Sequence, residues 1–428
     1  MLVLISANEG LVQRVRKVAT RWSKWKCSEF NYIKVCNSGY IVYNTLYNTL
    51  LRMEKEEYEE FILPKRGAEH RKIWVENGLW VPEDFSEKKD YIESAQHYSV
   101  NQKRQLSITI TTTMKCNARC SYCYEENVQK QDMEPQVVEN LSTFLQRQDI
   151  SKGVRINWFG GEPLLNQELM DTVSNLLSAR GFSYQSYLIT NGSLLNETMI
   201  KEKFPLWKVR DVQISLDGTR NEYELRKKYA DAGMYEKVIE NIQLLARYRI
   251  NVHIRLNIDH KNRENVLKLA KELEQRFGDE DMVTYYPAFL TGVENVLSEK
   301  ERIEFVGHLI RASGNTKKLL SATKFYSIPR MNACMKHDPY CFSIDVNGNL
   351  FDCEHFVGKK EYAIGNLTSW RQDVDKRNHV YEMPKECNNC VFLPKCMGGC
   401  ETNRAEGESP CLIEKYMIMA YMDYLAEA

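Results

Sequence analysis

Eleven of the thirteen cysteines in this 428-residue chain fall into two groups, and no other feature limits the possible folds as tightly. Three stand in one short run, Cys116-Asn117-Ala118-Arg119-Cys120-Ser121-Tyr122-Cys123. Eight more, Cys334, Cys341, Cys353, Cys387, Cys390, Cys396, Cys400 and Cys411, are spread over the last quarter of the chain. Thiolate is the ligand that holds iron–sulfur clusters, which normally take four of them. The first group offers three, so a cubane held there keeps one iron open to a substrate, much as a catalytic zinc site reserves one position for water. Cys27 and Cys36 stand apart and read as small core residues.

Compartment and charge narrow the function classes. The segment Met1-Leu2-Val3-Leu4-Ile5, with Glu9 soon after, lacks the basic start and long apolar core of a signal peptide. The expected location is cytoplasmic, where thiols stay reduced and disulfides are rare. No apolar stretch approaches the roughly 18 residues of a membrane span. Lys plus Arg equals Asp plus Glu at 58 each, so no global charge argues for nucleic acid or a membrane as partner.

Three segments differ in pattern. Residues 1–100 hold none of the grouped cysteines and read as a separate module. Phe30 to Val35 and Tyr40 to Tyr43 are short strands around the turn Asn37-Ser38-Gly39, the acidic run Glu54 to Phe61 is a helix, and a second helix follows. Gly78-Leu79-Trp80-Val81-Pro82 resembles the wing of a winged helix-turn-helix. A basic stretch ahead of these, Arg14, Arg16, Lys17, Arg21, Lys24 and Lys26 with Trp22 and Trp25 between them, reads as a solvated helix face.

In residues 101–313, apolar runs at Leu106–Ile110, Val154–Phe159, Tyr187–Thr190, Val212–Leu216, Val252–Ile258 and Val283–Tyr286 alternate with amphipathic segments. Leu267, Ala270, Leu273 and Phe277 share one helical face, as do Val238, Ile242 and Leu245. Six such units predict an α/β fold, a partial (β/α)6 TIM-like barrel whose catalytic groups gather at the carboxyl ends of the strands. The Cys116 run lies just after the first strand. In residues 314–428 periodicity is weak, and metal rather than apolar burial is expected to hold the segment together.

The Cx3Cx2C spacing, with an aromatic residue before the last cysteine, resembles the signature of the radical S-adenosylmethionine (radical SAM) superfamily. The resemblance implies that Cys116, Cys120 and Cys123 bind a [4Fe–4S] cluster whose fourth iron chelates S-adenosylmethionine, which is then cleaved to methionine and a 5′-deoxyadenosyl radical. A zinc site would need a fourth ligand, and none follows within the loop. Phe159-Gly160-Gly161-Glu162-Pro163 follows the second strand; its glycines let backbone approach a ligand closely, and the resemblance places Glu162 on the cosubstrate ammonium. Asn191 ends the third strand, Ser215 ends the fourth, and Arg255 and Asn257 lie in the fifth. By resemblance these belong to the cosubstrate site, with Ser215 and Arg255 in contact and Tyr122 approaching the adenine, although a structural role stays open for each.

The carboxyl-terminal cysteines, with Gly348 four residues ahead of the pair Asp352-Cys353, resemble the SPASM extension of these enzymes. Carried over by order, one auxiliary [4Fe–4S] cluster takes Cys334, Cys341, Cys353 and Cys400, and another takes Cys387, Cys390, Cys396 and Cys411, for three clusters in all. SPASM enzymes of this kind act on peptides or proteins. The segment Asp217 to Lys227 resembles one found in maturases of ribosomally made peptides, with Tyr223 where a histidine is usual. The first module resembles a precursor-recognition domain, on which a leader peptide adds as a strand, here at Phe30 to Val35; a structural cap is the alternative. The implied reaction is oxidative crosslinking of a precursor peptide, a thioether from cysteine or a carbon–carbon bond, fed by a reductant such as ferredoxin or flavodoxin. Glu354 and His355 are candidate bases, or groups that bond cluster-loop amides. Sulfatase maturation, where an aspartate would stand at the Glu354 position, and a plain electron carrier are the other classes.

Overall fold

The computed structural model describes residues 24–63, 68–101, 105–314, 316–323, 325, 329–332, 334–369 and 383–427. Arg14, Arg16, Lys17, Arg21 and Trp22 lie outside the described residues; Lys24 is exposed and Trp25 is buried. The amino-terminal strands are β1 (Trp25–Cys27), β2 (Asn31–Cys36), β3 (Gly39–Asn44), β4 (Thr49–Met53) and β5 (Trp80–Pro82). β2 and β3 form a hairpin that sets Cys36 opposite Gly39, and β4 lies antiparallel on the far side of β3. The apolar segment near Trp80 pairs antiparallel with β1, Trp25 opposite Pro82. Alternation along these strands sorts side chains into two layers. Val42, Leu51 and Met53 pack with Trp25, Phe61, Trp74 and Trp80, whereas Ile41, Tyr43 and Leu50 join the main core of the molecule. β2 is the outer strand of its sheet. Thr45 N donates to Phe30 O at 3.1 Å, so antiparallel alternation turns the N–H and C=O groups of Ile33 and Val35 away from β3.

Six parallel strands follow: β6 (Leu106–Thr113), β7 (Val154–Gly160), β8 (Tyr184–Thr190), β9 (Val209–Leu216), β10 (Asn251–Ile258) and β11 (Val283–Phe289). Each run is apolar toward the helices that cover it: Ile108, Ile156, Trp158, Leu188, Val212, Ile254 and Leu256 are buried. The other face is polar, because it lines the barrel instead of a helix. Thr109, Asn157, Tyr187 and Asp211 stand in one row across four strands, and Ser215, Arg255 and Tyr286 in another. Helices Pro135–Gln146, Gln167–Ala179, Glu197–Trp207, Met234–Arg247, Arg263–Phe277 and Glu299–Ala312 complete six βα units.

The carboxyl-terminal segment corrects one expectation. β12 (Cys341–Ile344) adds parallel to the free edge of β6, and β13 (Asn349–Phe351) and β14 (Gly365–Asn366) continue the sheet antiparallel, giving nine strands. Helix Ile413–Glu427 buries Tyr416, Met417, Ile418, Ala420 and Met422 in the main core and packs on β2 and β3. Apolar burial therefore holds much of this segment. The helix is covered on several sides, so its sequence shows no single apolar stripe to betray it. Among the described residues no helix is long and apolar enough to cross a membrane.

Candidate active site at the mouth of the barrel

The three-cysteine loop leaves the carboxyl end of β6. Its first turn is tied down where Met114 N donates to Gln131 O at 2.8 Å and where Asp132 accepts from Thr113 Oγ1 at 2.6 Å and from Lys115 Nζ at 2.7 Å. Its middle is stitched to a distant turn: Arg119 N donates to Lys227 O at 2.8 Å and Ser121 N to Arg226 O at 3.1 Å. Cys116 Sγ accepts from Ala118 N at 3.4 Å and lies 4.0 Å from Asn191 Nδ2, which donates to Asn117 Oδ1 at 2.8 Å. All three thiols are partly exposed. Burial pushes the Cys116 thiol up to about 11, so a metal that displaces the proton is what would make it a thiolate at neutral pH.

Gly160 and Gly161 serve this loop directly. Gly161 N donates to Thr113 O at 3.0 Å and Glu162 N to Lys115 O at 2.9 Å. A Cβ on Gly160, whose φ is +134°, would stand 2.1 Å from Thr113 O, and one on Gly161 would stand 2.4 Å from Lys115 O. The close approach that glycine permits is therefore made to the chain's own backbone. Glu162 is fully buried; its Oε1 accepts from Leu164 N at 3.1 Å and Thr190 Oγ1 at 2.8 Å, and its Oε2 from Asn191 N at 2.8 Å. Burial pushes its carboxyl up to about 7 against these three donors. Oε2 keeps room for one more.

The strand ends bring the remaining residues together. Tyr122 OH donates to Asp217 Oδ2 at 2.5 Å; Asn257 Nδ2 donates to both Tyr122 OH and Asp217 Oδ1 at 3.1 Å; Arg255 Nε donates to Asn257 Oδ1 at 3.0 Å. Ser215 Oγ accepts from Lys227 Nζ at 2.6 Å. Arg226 pairs with Asp259 at 2.8 Å, and its guanidinium carbon lies 5.1 Å from the centre of the Tyr122 ring. Asp217, Arg226 and Lys227 were visible in the segment Asp217 to Lys227, but nothing in the sequence shows that its last turn clasps the cysteine loop.

Glu354 and His355 follow Cys353 near the same loop. Glu354 Oε1 accepts from Thr109 Oγ1 at 2.7 Å, inside the barrel. The His355 ring stacks on Tyr124, next to Cys123, at 5.6 Å and 20°, with Nε2 3.6 Å from Glu406. Burial, with the Lys359 ammonium, holds His355 below the ordinary histidine range. Glu125, which the sequence did not single out, is buried near Glu354; burial pushes it up to about 7, with Lys130 opposing and the Glu354 charge reinforcing. Cys334 feels the charges of Cys353 and Cys400, while Cys396 feels those of Cys390, Cys411 and Cys387. Cys341 opens β12. Among the described residues no three His, Cys, Asp or Glu side chains converge as ligands of one metal ion. Thiols that each hold a different iron of a cluster have no such common point.

Residues 110–273 match the family model of the radical SAM superfamily. The chain carries a radical SAM domain. It is related to enzymes that mature sulfatases. It is 24% identical to the serine-type anaerobic sulfatase-maturating enzyme of Bacteroides thetaiotaomicron, over 72% of this chain and 86% of that one. With the cysteine-type enzyme of Clostridium novyi it shares 26%, over 70% and 89%. The solved structure of native anSMEcpe with bound AdoMet and Cp18Cys peptide shares the fold, with a TM-score of 0.59 at 19% identity, over 76% of this chain and 99% of that one. That of Streptococcus suis SuiB aligns over 90% and 97%, with a TM-score of 0.50 at 14% identity.

Proposed function

We propose that this radical SAM enzyme oxidatively crosslinks a ribosomally made precursor peptide, most simply through a thioether from cysteine. The observation that carries the reading is a loop of three thiols at the mouth of a polar-lined barrel, with eight further thiols in the carboxyl-terminal segment. Their chemistry fits the groups in question: three thiols with no fourth cysteine in their loop for a cluster with one open iron, and two sets, Cys334 with Cys353 and Cys400, and Cys387 with Cys390, Cys396 and Cys411, for two auxiliary clusters. Cys341 would complete the first set. When bound, the clusters and S-adenosylmethionine supply a hydrogen-abstracting 5′-deoxyadenosyl radical and an acceptor for the electron that the product gives up.

The chain's own residues do the rest. Glu162, through the free position on Oε2, and Asn191 would hold the amino-acid end of the cosubstrate, and Tyr122, Ser215, Arg255 and Asn257 would frame the remainder. Forming the crosslink also releases a proton. Glu354 faces the barrel and is the better placed acceptor; His355 is held by Tyr124 and Glu406 and would orient the loop. Residues 1–100 would bind the leader peptide, 101–313 carry the radical chemistry and 314–428 carry the auxiliary clusters. The outward N–H and C=O groups of Ile33 and Val35 offer the leader a strand edge.

Formylglycine formation in a sulfatase is the second reading, favoured by the two curated relatives. Intact mass spectrometry of the substrate after anaerobic turnover separates the two. Loss of two hydrogens without a new aldehyde supports the crosslink; a cysteine or serine converted to an aldehyde supports the second reading. Reduced, iron-loaded protein that makes no 5′-deoxyadenosine would sink both.

A further inference from the structure

We propose that the buried ammonium of Lys227 is the fixed counter-charge of the three-thiol loop and governs how readily a cluster held there accepts an electron. The inference rests on Cys116, Cys120 and Cys123 being cluster ligands. Lys227 is the last residue of helix Arg220–Lys227 and is 3% exposed. Its Nζ donates to Ser215 Oγ at 2.6 Å, stands 3.9 Å from Asp217 Oδ2, and lies 5.9 Å and 6.0 Å from the ring centres of Tyr122 and Tyr223.

Its backbone is held as firmly as its side chain. The carbonyls of Lys227 and Arg226 accept from Arg119 N and Ser121 N, the residues on either side of Cys120. The neighbouring Arg226 is locked to Asp259 at 2.8 Å. The turn that carries the ammonium is thus sewn to the loop that carries the thiol, so the two cannot drift apart without breaking both hydrogen bonds. Charges fixed in a dry interior act far more strongly than in water. A cluster becomes more negative when reduced, and hydrogen bonds and charges around the sulfurs are among the levers that set its potential. A cation held here favours the reduced state. The nearest opposing charge, Asp217, directs its oxygens to Tyr122 OH and Asn257 Nδ2. Glu162, on the other side of the loop, is engaged by Thr190 and Asn191.

The test uses full-length protein purified anaerobically. Iron and acid-labile sulfide content of the unaltered protein decides the cluster reading first; zinc alone, or no sulfide, refutes that reading on its own. Potentiometric titration followed by EPR then addresses Lys227, reading the signal that changes on adding S-adenosylmethionine. In Lys227→Met, which keeps the stem and drops the charge, the reduced-to-oxidised ratio at a fixed potential falls about tenfold, or about 59 mV for one electron. Lys227→Arg stays within about twofold. A ratio unchanged in an iron-loaded Lys227→Met protein overturns the proposal. Should that variant fail to load iron, Asp217→Asn decides: removal of the opposing carboxylate raises the ratio, and a ratio unchanged or lowered overturns the proposal.

Discussion

Replacing Gly161 by alanine tests whether the glycine pair exists to seat the cysteine loop. The new Cβ would stand 2.4 Å from Lys115 O, 2.7 Å from Lys115 C and 3.0 Å from Met114 O. All three are backbone atoms, so no side chain can swing aside. Real Cβ atoms essentially never come closer than 3.0 Å, which forces a separation of about 0.6 Å or more between the glycine loop and the residue preceding Cys116. The bonds from Gly161 N to Thr113 O and from Glu162 N to Lys115 O lie on the same seam and lengthen with it. Misplacing a reacting group by about 1 Å costs about 100-fold. A displacement slightly smaller than that predicts a loss of about 10- to 100-fold in the rate of 5′-deoxyadenosine formation per loaded iron. Gly233→Ala is the control: its Cβ meets nothing within 4 Å, and the variant bears only the left-handed backbone at φ +77°, a strain of about 1 kcal/mol. Anaerobic assay of both proteins, normalised to iron and sulfide, separates them. A Gly161→Ala enzyme with full iron and a rate within about threefold of the original would refute the argument that this contact positions the loop.

Three further outcomes follow from other parts of the molecule. Val35→Pro removes an N–H that faces away from β3, so it spares the hairpin but takes a donor from the edge proposed to bind the leader; precursor affinity, read by anisotropy, should weaken about five- to tenfold, with 5′-deoxyadenosine formation in the absence of peptide unchanged. Unaltered affinity would move the docking edge elsewhere. Glu87, buried against Ser28 Oγ at 2.8 Å and Glu29 N at 2.9 Å, has its carboxyl pushed up to about 7 by burial. Its folded value lies above the unfolded one, so its contribution is fully present below about pH 4.5 and is lost as pH rises through about 7. That span is worth at most about 3 kcal/mol, and Glu87→Gln should flatten the corresponding fall in melting temperature between pH 5 and 7. Asp259→Ala leaves the 6%-exposed Arg226 with only Glu222, 4.0 Å away, as an ion-pair partner among the described residues, a loss of at most about 3–5 kcal/mol; melting at the unaltered temperature would show that the pair contributes little.

What the sequence revealed follows from the range of the forces involved. Six strands were legible because each alternates between a helix-covered face and the barrel interior over seven or eight residues, a purely local pattern. The eleven cysteines were legible because a thiol advertises its chemistry wherever it stands. β12 was not, since Cys341–Ile344 is too short to show a period and becomes a strand only when β6, more than two hundred residues earlier, offers it an edge. Helix Ile413–Glu427 was hidden for the opposite reason, being wrapped by neighbours on too many sides to keep one apolar stripe. The site divides along the same line. Glu162, Asn191, Tyr122, Ser215, Arg255 and Asn257 could be named individually, each from a short motif that the family resemblance marks, and the fold brings them around one loop. Lys227 could not be read in this way. Its importance comes from two carbonyls and an ammonium that meet Arg119, Ser121 and Ser215 only in the folded chain, and its segment drew notice for Tyr223, which turns out to be buried and bonded to Tyr229 at 2.9 Å. Local patterns thus identify the groups proposed to do the chemistry, while the groups that hold those in place must be found through tertiary contacts, because backbone atoms and buried charges leave no periodic trace. Variants of Lys227 and Gly161 should accordingly disturb the cluster loop without touching a single proposed ligand.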